Sequence, residues 1–317
     1  VIEAADLIGQ VWEGDFRDLA PQLPDGCVDC VVTSPPYPQG KKKSEDMGRY
    51  RRSGTAEEQR QHIHGKPNQK GETGLEVRIA APEWLDWFLS FTPEIKRILK
   101  PNGNFIVNVD SCCYPTRHRH WGVFSLPERM EAQGWCFVDA LPWIKPNGPP
   151  TFSRFRFQHS WEFVYHFANG EHWWRNEDAM WQERTPGGKV EARRRLAGRM
   201  NYGQRYGRDG KAQGLPPDGE RRRVMDVFSC SVGGTRWHGL GGAHFAAMPL
   251  KLAKWIISWA SKPGDIVLDP FGGAATTGVA AVALGRRPII CEVTPAAAEI
   301  ARKRMERVLA QGMLEVG

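Results

Sequence analysis

An α/β fold, a doubly wound and mostly parallel sheet interrupted by insertions, is what this 317-residue sequence predicts. Three observations carry the prediction. Short apolar runs of strand length alternate with amphipathic stretches of helix length. Several of those runs end in an acid or a rigid turn, as strands do when they open onto crossover helices. Two polar stretches, 41–80 and 171–223, break the alternation without repeating it.

Val28–Thr33 (VDCVVT) reads as a short buried strand, stopped by Ser34-Pro35-Pro36. The stretch that follows lacks apolar periodicity and reads as a long mobile loop. Pro82 opens an amphipathic helix with Trp84, Phe88, Phe91, Ile95, Ile98 and Leu99 on one face, kinked or broken at Pro93. Strands are expected at 105–109, 137–144 and 161–167. From Glu171 to Arg223 the pattern fails and an irregular insertion is expected. Regularity then returns: a helix over 250–260, a strand over 265–268, a helix over 277–284 and a strand over 287–292. Thr294 and Pro295 cap and open a last helix running to about Leu309.

The composition narrows the classes. A hydrophobic content of 41% suits a globular chain. No uncharged apolar run reaches the ~18–20 residues of a membrane helix, and the start shows no basic-then-apolar leader, so no membrane partner is expected. Seven cysteines form too sparse a set for a disulfide scaffold. The expected compartment is reducing and intracellular. The net charge of +7 is localised: 41–80 holds 10 basic against 6 acidic residues, 171–223 holds 13 against 8, and the remainder is slightly acidic. Two basic segments on a near-neutral scaffold fit either a polyanion partner or a pair of solvated loops.

Between Val267 and Gly285 an apolar strand ends in Asp269, followed by a small-residue turn and a helix of small residues. Gly272 and Gly273 let the backbone approach a ligand. The first amides of the next helix favour a carboxylate or phosphate. Glu292 ends the next strand, where a carboxylate can accept both hydroxyls of a ribose. The loop is neither Gly-x-Gly-x-x-Gly nor a P-loop. The reading without a ligand is a tight β–α turn with a satisfied acid.

Thr33-Ser34-Pro35-Pro36-Tyr37 is the sharpest motif. Two prolines fix φ and donate nothing, which leaves a rigid corner rich in acceptors. Ser34 adds a hydroxyl and Tyr37 a flat face. Such a set holds an exocyclic amino group by its two hydrogens while the ring stacks. It favours a pyramidal nitrogen whose lone pair is aimed at an electrophile. The alternative is a plain strand exit with Tyr37 in the core.

With these residues in hand, the sequence resembles the amino-methylating DNA methyltransferases of the permuted β class, in which a Ser/Asp/Asn-Pro-Pro-Tyr motif precedes the cofactor motif. The resemblance covers most of the chain outside 41–80 and 171–223. Gly14-Asp15 looks like the acid that contacts the cofactor adenine. Leu141–Asn147 (LPWIKPN), with His159-Ser160-Trp161-Glu162, looks like the motif lining the target-base pocket. The run from His244, Phe245 and Ala246 to Pro249 looks like the segment at the methionine end of S-adenosylmethionine. Asp269, Phe271, Gly272, Gly273 and Ala274 match the cofactor loop, and Glu292 and Val293 the ribose acid and its neighbour.

The resemblance implies a Rossmann-like S-adenosylmethionine-dependent methyltransferase fold with an irregular target-recognition insertion. Residues 1–40 and 81–170 would form its catalytic half, 41–80 a mobile basic loop, 171–240 the target-recognition region and 241–317 the cofactor half. It implies direct in-line transfer to a base turned out of duplex DNA, with Ser34, Pro35, Pro36 and Tyr37 catalytic. Ser at the first motif position favours cytosine N4 over adenine N6. A catalytically silent DNA binder and a methyltransferase of RNA or small molecules are the rivals of other classes. The setting implied is a bacterium or its phage, within restriction–modification. Lys145, Asn147, Arg193, Arg194, Arg195, Arg221, Arg222 and Arg223 are the candidate DNA contacts.

Two departures stand out. The loop reads Gly-Gly-Ala-Ala-Thr-Thr where family members usually carry Gly-Ser-Gly/Asn-Thr-Thr, which loses a possible hydroxyl contact, and the stretch from Cys112-Cys113 to His120 has no counterpart. Cys27 and Cys30 have metal spacing but no second pair, so both read as core or turn thiols and no metal is expected. The absence of any Pro-Cys dipeptide speaks against the covalent cysteine route to C5-methylcytosine.

Overall fold

The computed structural model describes residues 4–39, 79–111, 119–148, 157–183, 186, 189, 221–232 and 248–315. The strands are β1 Val11–Glu13, β2 Val28–Thr33, β3 Pro38–Gln39, β4 Ile79–Ala80, β5 Leu99–Val109, β6 Cys136–Ile144, β7 Trp161–Ala168, β8 Trp181–Glu183, β9 Arg221–Arg223, β10 Phe228–Ser229, β11 Ile266–Asp269 and β12 Arg287–Glu292. The α-helices are α1 Phe16–Leu19, α2 Ala81–Leu89, α3 Thr92–Ile98, α4 Leu126–Glu131, α5 Leu250–Ala260, α6 Thr276–Ala283 and α7 Pro295–Glu315.

Eight strands make the main sheet in the order β1-β12-β11-β2-β5-β7-β6-β10. All neighbours are parallel except β7, which runs antiparallel to both β5 and β6. Helices cover both faces. Phe16, Trp84, Phe88, Ile95, Ile98 and Leu126 of α1 to α4 pack with Phe105, Val107 and Phe167 on one side. Leu252, Ile256 and Ile257 of α5 and Ala280 and Ala281 of α6 pack with Val32, Ile106 and Val164 on the other. Each such large side chain, fully buried, contributes roughly 1.5–3 kcal/mol. β11 continues through α6 to β12 on one flank, while β2 leads through α2 and α3 to β5 on the other. The order of connection therefore reverses between β11 and β2, and a crevice opens at their carboxyl ends.

The expected strand 28–33, helix 250–260 and strand 287–292 stand at their expected bounds. The helix expected from Pro82 is broken near Pro93, as expected, with Pro93 in the first turn of α3; Leu99, expected on its apolar face, already begins β5. The stretch from Glu171 is less irregular than expected. Asn176 donates through its amide to Trp259 O and through Nδ2 to Ser258 O, which ties it to the end of α5. β8 pairs antiparallel with β9. Most of 41–80 and 184–220, and all of 233–247, lie outside the described residues.

Candidate active site

Sheet order decides which residues meet. β1, β12, β11 and β2 are parallel neighbours, so the residues at or just past their carboxyl ends stand in a row: Asp15, Glu292, Asp269 and Ser34. At about 4.8 Å per strand the row spans roughly 14 Å.

Asp15 caps α1 by accepting from the Arg17 amide at 2.9 Å, and it holds the Arg17 guanidinium at 2.6 Å. The Glu292 carboxylate accepts from the Gly273 amide at 2.8 Å and the Thr294 amide at 2.7 Å, so it binds the glycine loop to the start of α7. Asp269 is 3% exposed and accepts from Thr33 Oγ1 at 2.6 Å and the Phe271 amide at 3.1 Å. Burial, the larger influence, together with the Glu292 charge, pushes its carboxyl up to about 6 against the pull of these bonds and of Thr277. Phe271 packs edge-on against Phe91, with centroids 4.8 Å apart, and leans on Trp87 and Phe88.

The two loop glycines have different reasons. A Cβ at Gly272 would collide with Ile290 Cγ2, so its bareness is already required by the packing of the loop on β12. Gly273 adopts φ +50°, and Ala275 adopts φ +57°, the one non-glycine residue at positive φ among those described. A support the sequence did not announce comes from α7: Arg304 Nη1 donates to Ala274 O and to Thr276 Oγ1, and burial lowers the Arg304 guanidinium to about 10. Its spacing from Ala297 and Ala301, on the buried face of α7, was the only available signal.

At the other end of the row, Ser34-Pro35-Pro36-Tyr37 is framed from both sides. The Pro36 carbonyl accepts the buried Trp84 indole N–H at 2.7 Å. The Tyr37 hydroxyl donates to Glu162 Oε2 at 2.6 Å and accepts from Ser34 Oγ at 3.3 Å. Asn108 Nδ2 donates to the same Glu162 oxygen at 3.1 Å, and Lys145 Nζ to the other at 2.8 Å. Burial first, then the Glu162 charge, pushes the Tyr37 phenol well above 10, so it keeps its proton. Lys145 is 8% exposed. It therefore stands within the wall of the pocket and not on a phosphate-facing surface, which revises its expected role. Asn108 was not foreseen; a polar residue in the apolar run FIVNV was its signal.

Asn147 accepts from the Val232 amide at 2.9 Å. Arg221, Arg222 and Arg223 form β9, with Arg222 exposed. Arg193, Arg194, Arg195, His244, Phe245 and Ala246 lie outside the described residues. Cys30 is buried in β2 and Cys27 half-buried, and burial raises both thiols.

The sequence profile of the N6/N4 DNA methylase family matches residues 28–303. The chain belongs to that family. It is thus a DNA methyltransferase with S-adenosylmethionine as its cofactor. Among its relatives, the type II methyltransferase M.Cfr9I of Citrobacter freundii is 24% identical over 325 residues, covering 93% of this chain and 87% of that one. M.PvuII of Proteus hauseri is 24% identical over 312 residues, covering 90% and 80%. Two solved structures share the fold. The PvuII DNA methyltransferase, described as cytosine-N4-specific, aligns at TM-score 0.60 and 21% identity over 95% of this chain and 91% of that one. A protein of Thermus thermophilus, described as a candidate DNA modification methylase and solved with S-adenosyl-L-methionine, aligns at 0.56 and 20% over 94% and 93%. No described helix is long and apolar enough to cross a membrane.

The residues present fit the methylase cofactor. Asp15 and Glu292 offer carboxylates on neighbouring strand ends. The loop before α6 presents backbone at a helix N-terminus, where anionic groups are favoured. Trp12 Nε1, beside Gly14, and Trp87 Nε1, beside Phe271, are buried with no hydrogen-bond partner among the described residues. Ala275 is the position at which the family resemblance implies Gly or Asn. Replacing Ala275 by Gly removes about 1 kcal/mol of left-handed strain and should raise the thermal midpoint by about 1–2 °C. A lower midpoint in a fluorescence melt would show that the Ala275 methyl is needed for packing.

Proposed function

We propose that this methylase transfers a methyl group to the exocyclic N4 amino group of cytosine in duplex DNA, within a specific sequence. The observation that carries the reading is the direction of the hydrogen bonds at Ser34. Lys145 and Asn108 donate to Glu162, Tyr37 donates to Glu162, and Ser34 donates to Tyr37. Because Glu162 fixes where each proton points, the Ser34 oxygen keeps its lone pairs for the target. Ser34 Oγ and the Pro35 carbonyl accept the two amino hydrogens, and the nitrogen lone pair is freed from conjugation with the ring. Pro36 holds the turn, and the face of Tyr37, fixed at its hydroxyl, stacks on the base. Bound S-adenosylmethionine supplies a methyl group already activated as a sulfonium, so positioning and electrostatics are the main tasks left to the protein. Asp15, Glu292, Val293, the 271–274 loop and the 244–246 segment hold it. The nitrogen gains the methyl and gives up a proton, and Glu162 is the anion at the end of the chain that leads away from it.

A serine at the first motif position and the cytosine-N4 description of the PvuII structure both support cytosine over adenine. Residues 171–240, with Arg193–Arg195 and Arg221–Arg223, are assigned to reading the DNA, and 41–80 to closing over it. Label from tritiated S-adenosylmethionine should enter mixed-sequence duplex DNA at least tenfold faster than RNA of the same sequence. Equal entry into RNA would overturn the assignment of substrate.

A further inference from the structure

Large apolar side chains are exposed at four described positions: Trp121 (76%), Phe124 (39%), Phe157 (99%) and Met225 (57%). The three aromatic ones stand at the carboxyl end of β5, the end of the sheet that carries the site. Trp121 and Phe124 follow the carboxyl end of β5, and Phe157 precedes β7. The rings of Trp121 and Phe124 connect to those of β7. Trp121 meets Phe124 at 5.9 Å, Phe124 meets Phe163 at 5.3 Å, Phe163 meets Trp161 at 4.7 Å, and Trp161 meets His159 at 5.4 Å. The chain of rings ends at His159, which bonds Asp110 just past β5 at 2.9 Å; Glu162, which holds Tyr37, projects from the opposite face of β7.

At Trp121 and Phe124 the exposure is built in and is not a frayed end. Val123 and Leu126 are fully buried, and the Val123 carbonyl accepts from the Tyr165 hydroxyl at 3.1 Å. The Trp121 carbonyl accepts from the Ser125 amide at 3.0 Å, and Gly122 N donates to His120 Nδ1 at 3.0 Å. Trp121 is thus held out on a fixed turn. Behind it Arg119 and His159 both engage Asp110, at 3.4 and 2.9 Å. This turn directly follows the stretch from Cys112 to His120, for which the family resemblance offers no counterpart. It packs on α2, where a Cβ at Gly122 would stand 3.7 Å from Leu85. The β3–β4 pair, from which the basic 41–80 segment leaves and returns, meets the same helix.

We infer that Trp121, Phe124 and Phe157 form an aromatic rim that stacks on the base faces uncovered when the target nucleotide leaves the duplex. The inference rests on the proposed DNA reaction. The rim stands at the same end of the sheet as the target pocket, it is aromatic rather than aliphatic, and it adjoins the attachment of a basic segment. That is the composition of a surface for unstacked bases. Turning a base out leaves its partner and neighbours with bare faces, and an aromatic surface recovers part of the lost stacking.

The test uses binding, so it stands whether or not the base assignment holds. The probes are two fluorescein-labelled duplexes of one mixed sequence, fully paired or with a single abasic position, with the cofactor product S-adenosylhomocysteine present. The wild-type methylase should prefer the abasic duplex about tenfold. Trp121→Ala with Phe157→Ala should bind the paired duplex as the wild type does but keep no more than a twofold preference. Trp121→Tyr should retain the preference. Both substituted side chains are exposed, so melting curves should coincide. An intact preference in the double variant overturns the inference. An intact preference with a changed sedimentation coefficient would make the rim an interface between protein copies and overturns it equally.

Discussion

Ser34→Ala is expected to lower kcat by about 10²–10³-fold, the usual cost of removing one preorganised polar contact aimed at a reacting group. The substitution removes the oxygen at the target end of the hydrogen-bond chain and leaves its anchor intact, since Tyr37 still donates to Glu162 at 2.6 Å. Cofactor and DNA affinities should stay within about threefold of wild type. Tyr37→Phe is the informative companion. It keeps a stacking face but strips Ser34 of its acceptor and Glu162 of a donor, so it should also slow kcat, by less. Single-turnover methylation with saturating DNA and cofactor measures both. A Ser34→Ala enzyme within tenfold of wild type would remove the serine from the chemistry, and a parallel loss of DNA binding would make it a structural residue.

Asp269→Asn is expected to separate stability from function. The Asp269 carboxyl is raised from 3.8 to about 6, with burial as the main cause. For a carboxyl whose folded value is raised, the unfolded chain releases its proton first as pH rises. Between about pH 4 and pH 6 the folded state therefore holds more protons than the unfolded one, and stability falls, by on the order of 2–3 kcal/mol in all. Asparagine carries no charge to bury. Its oxygen can still accept from Thr33 and Phe271, and the Thr277 hydroxyl can turn to accept from its amide. The variant should be more stable than wild type in urea unfolding at pH 8, with the difference cut to about a third at pH 4.5. Its cofactor affinity should fall, because the charge that orders the loop at Phe271 is gone. A destabilised variant at pH 8 would mean that the hydrogen bonds, and not the desolvated charge, dominate at this position.

The parts of the fold that were legible are those in which local chemistry decides the ends. β2 is stopped by two prolines, α5 is an amphipathic run opened after Pro249, and β12 lies between a glycine turn and an acid. The short elements were not legible. β1 has only three residues, none buried, and takes its place by pairing with β12. α4 has six residues and is fixed mainly by burying Leu126 and Met130. The residues lining the row of strand ends could be named in advance because each sits beside a motif. Their partners could not. Tyr37 and Glu162 are 125 residues apart, and Thr33 and Asp269 are 236 apart. Only the strand order joins them. The same order turned Lys145 from a surface cation into the inner end of the Glu162 pair. The reason for Gly272 likewise lies in the side chain of Ile290 on the neighbouring strand.

The central claim, methyl transfer to cytosine N4, is tested most directly by the identity of the product. Mixed-sequence duplex DNA would be incubated with the enzyme and S-adenosylmethionine, digested to nucleosides and resolved by mass spectrometry against authentic standards. The account predicts N4-methylcytosine alone. N6-methyladenine would contradict the role given to Ser34 while leaving the fold and the cofactor assignment in place.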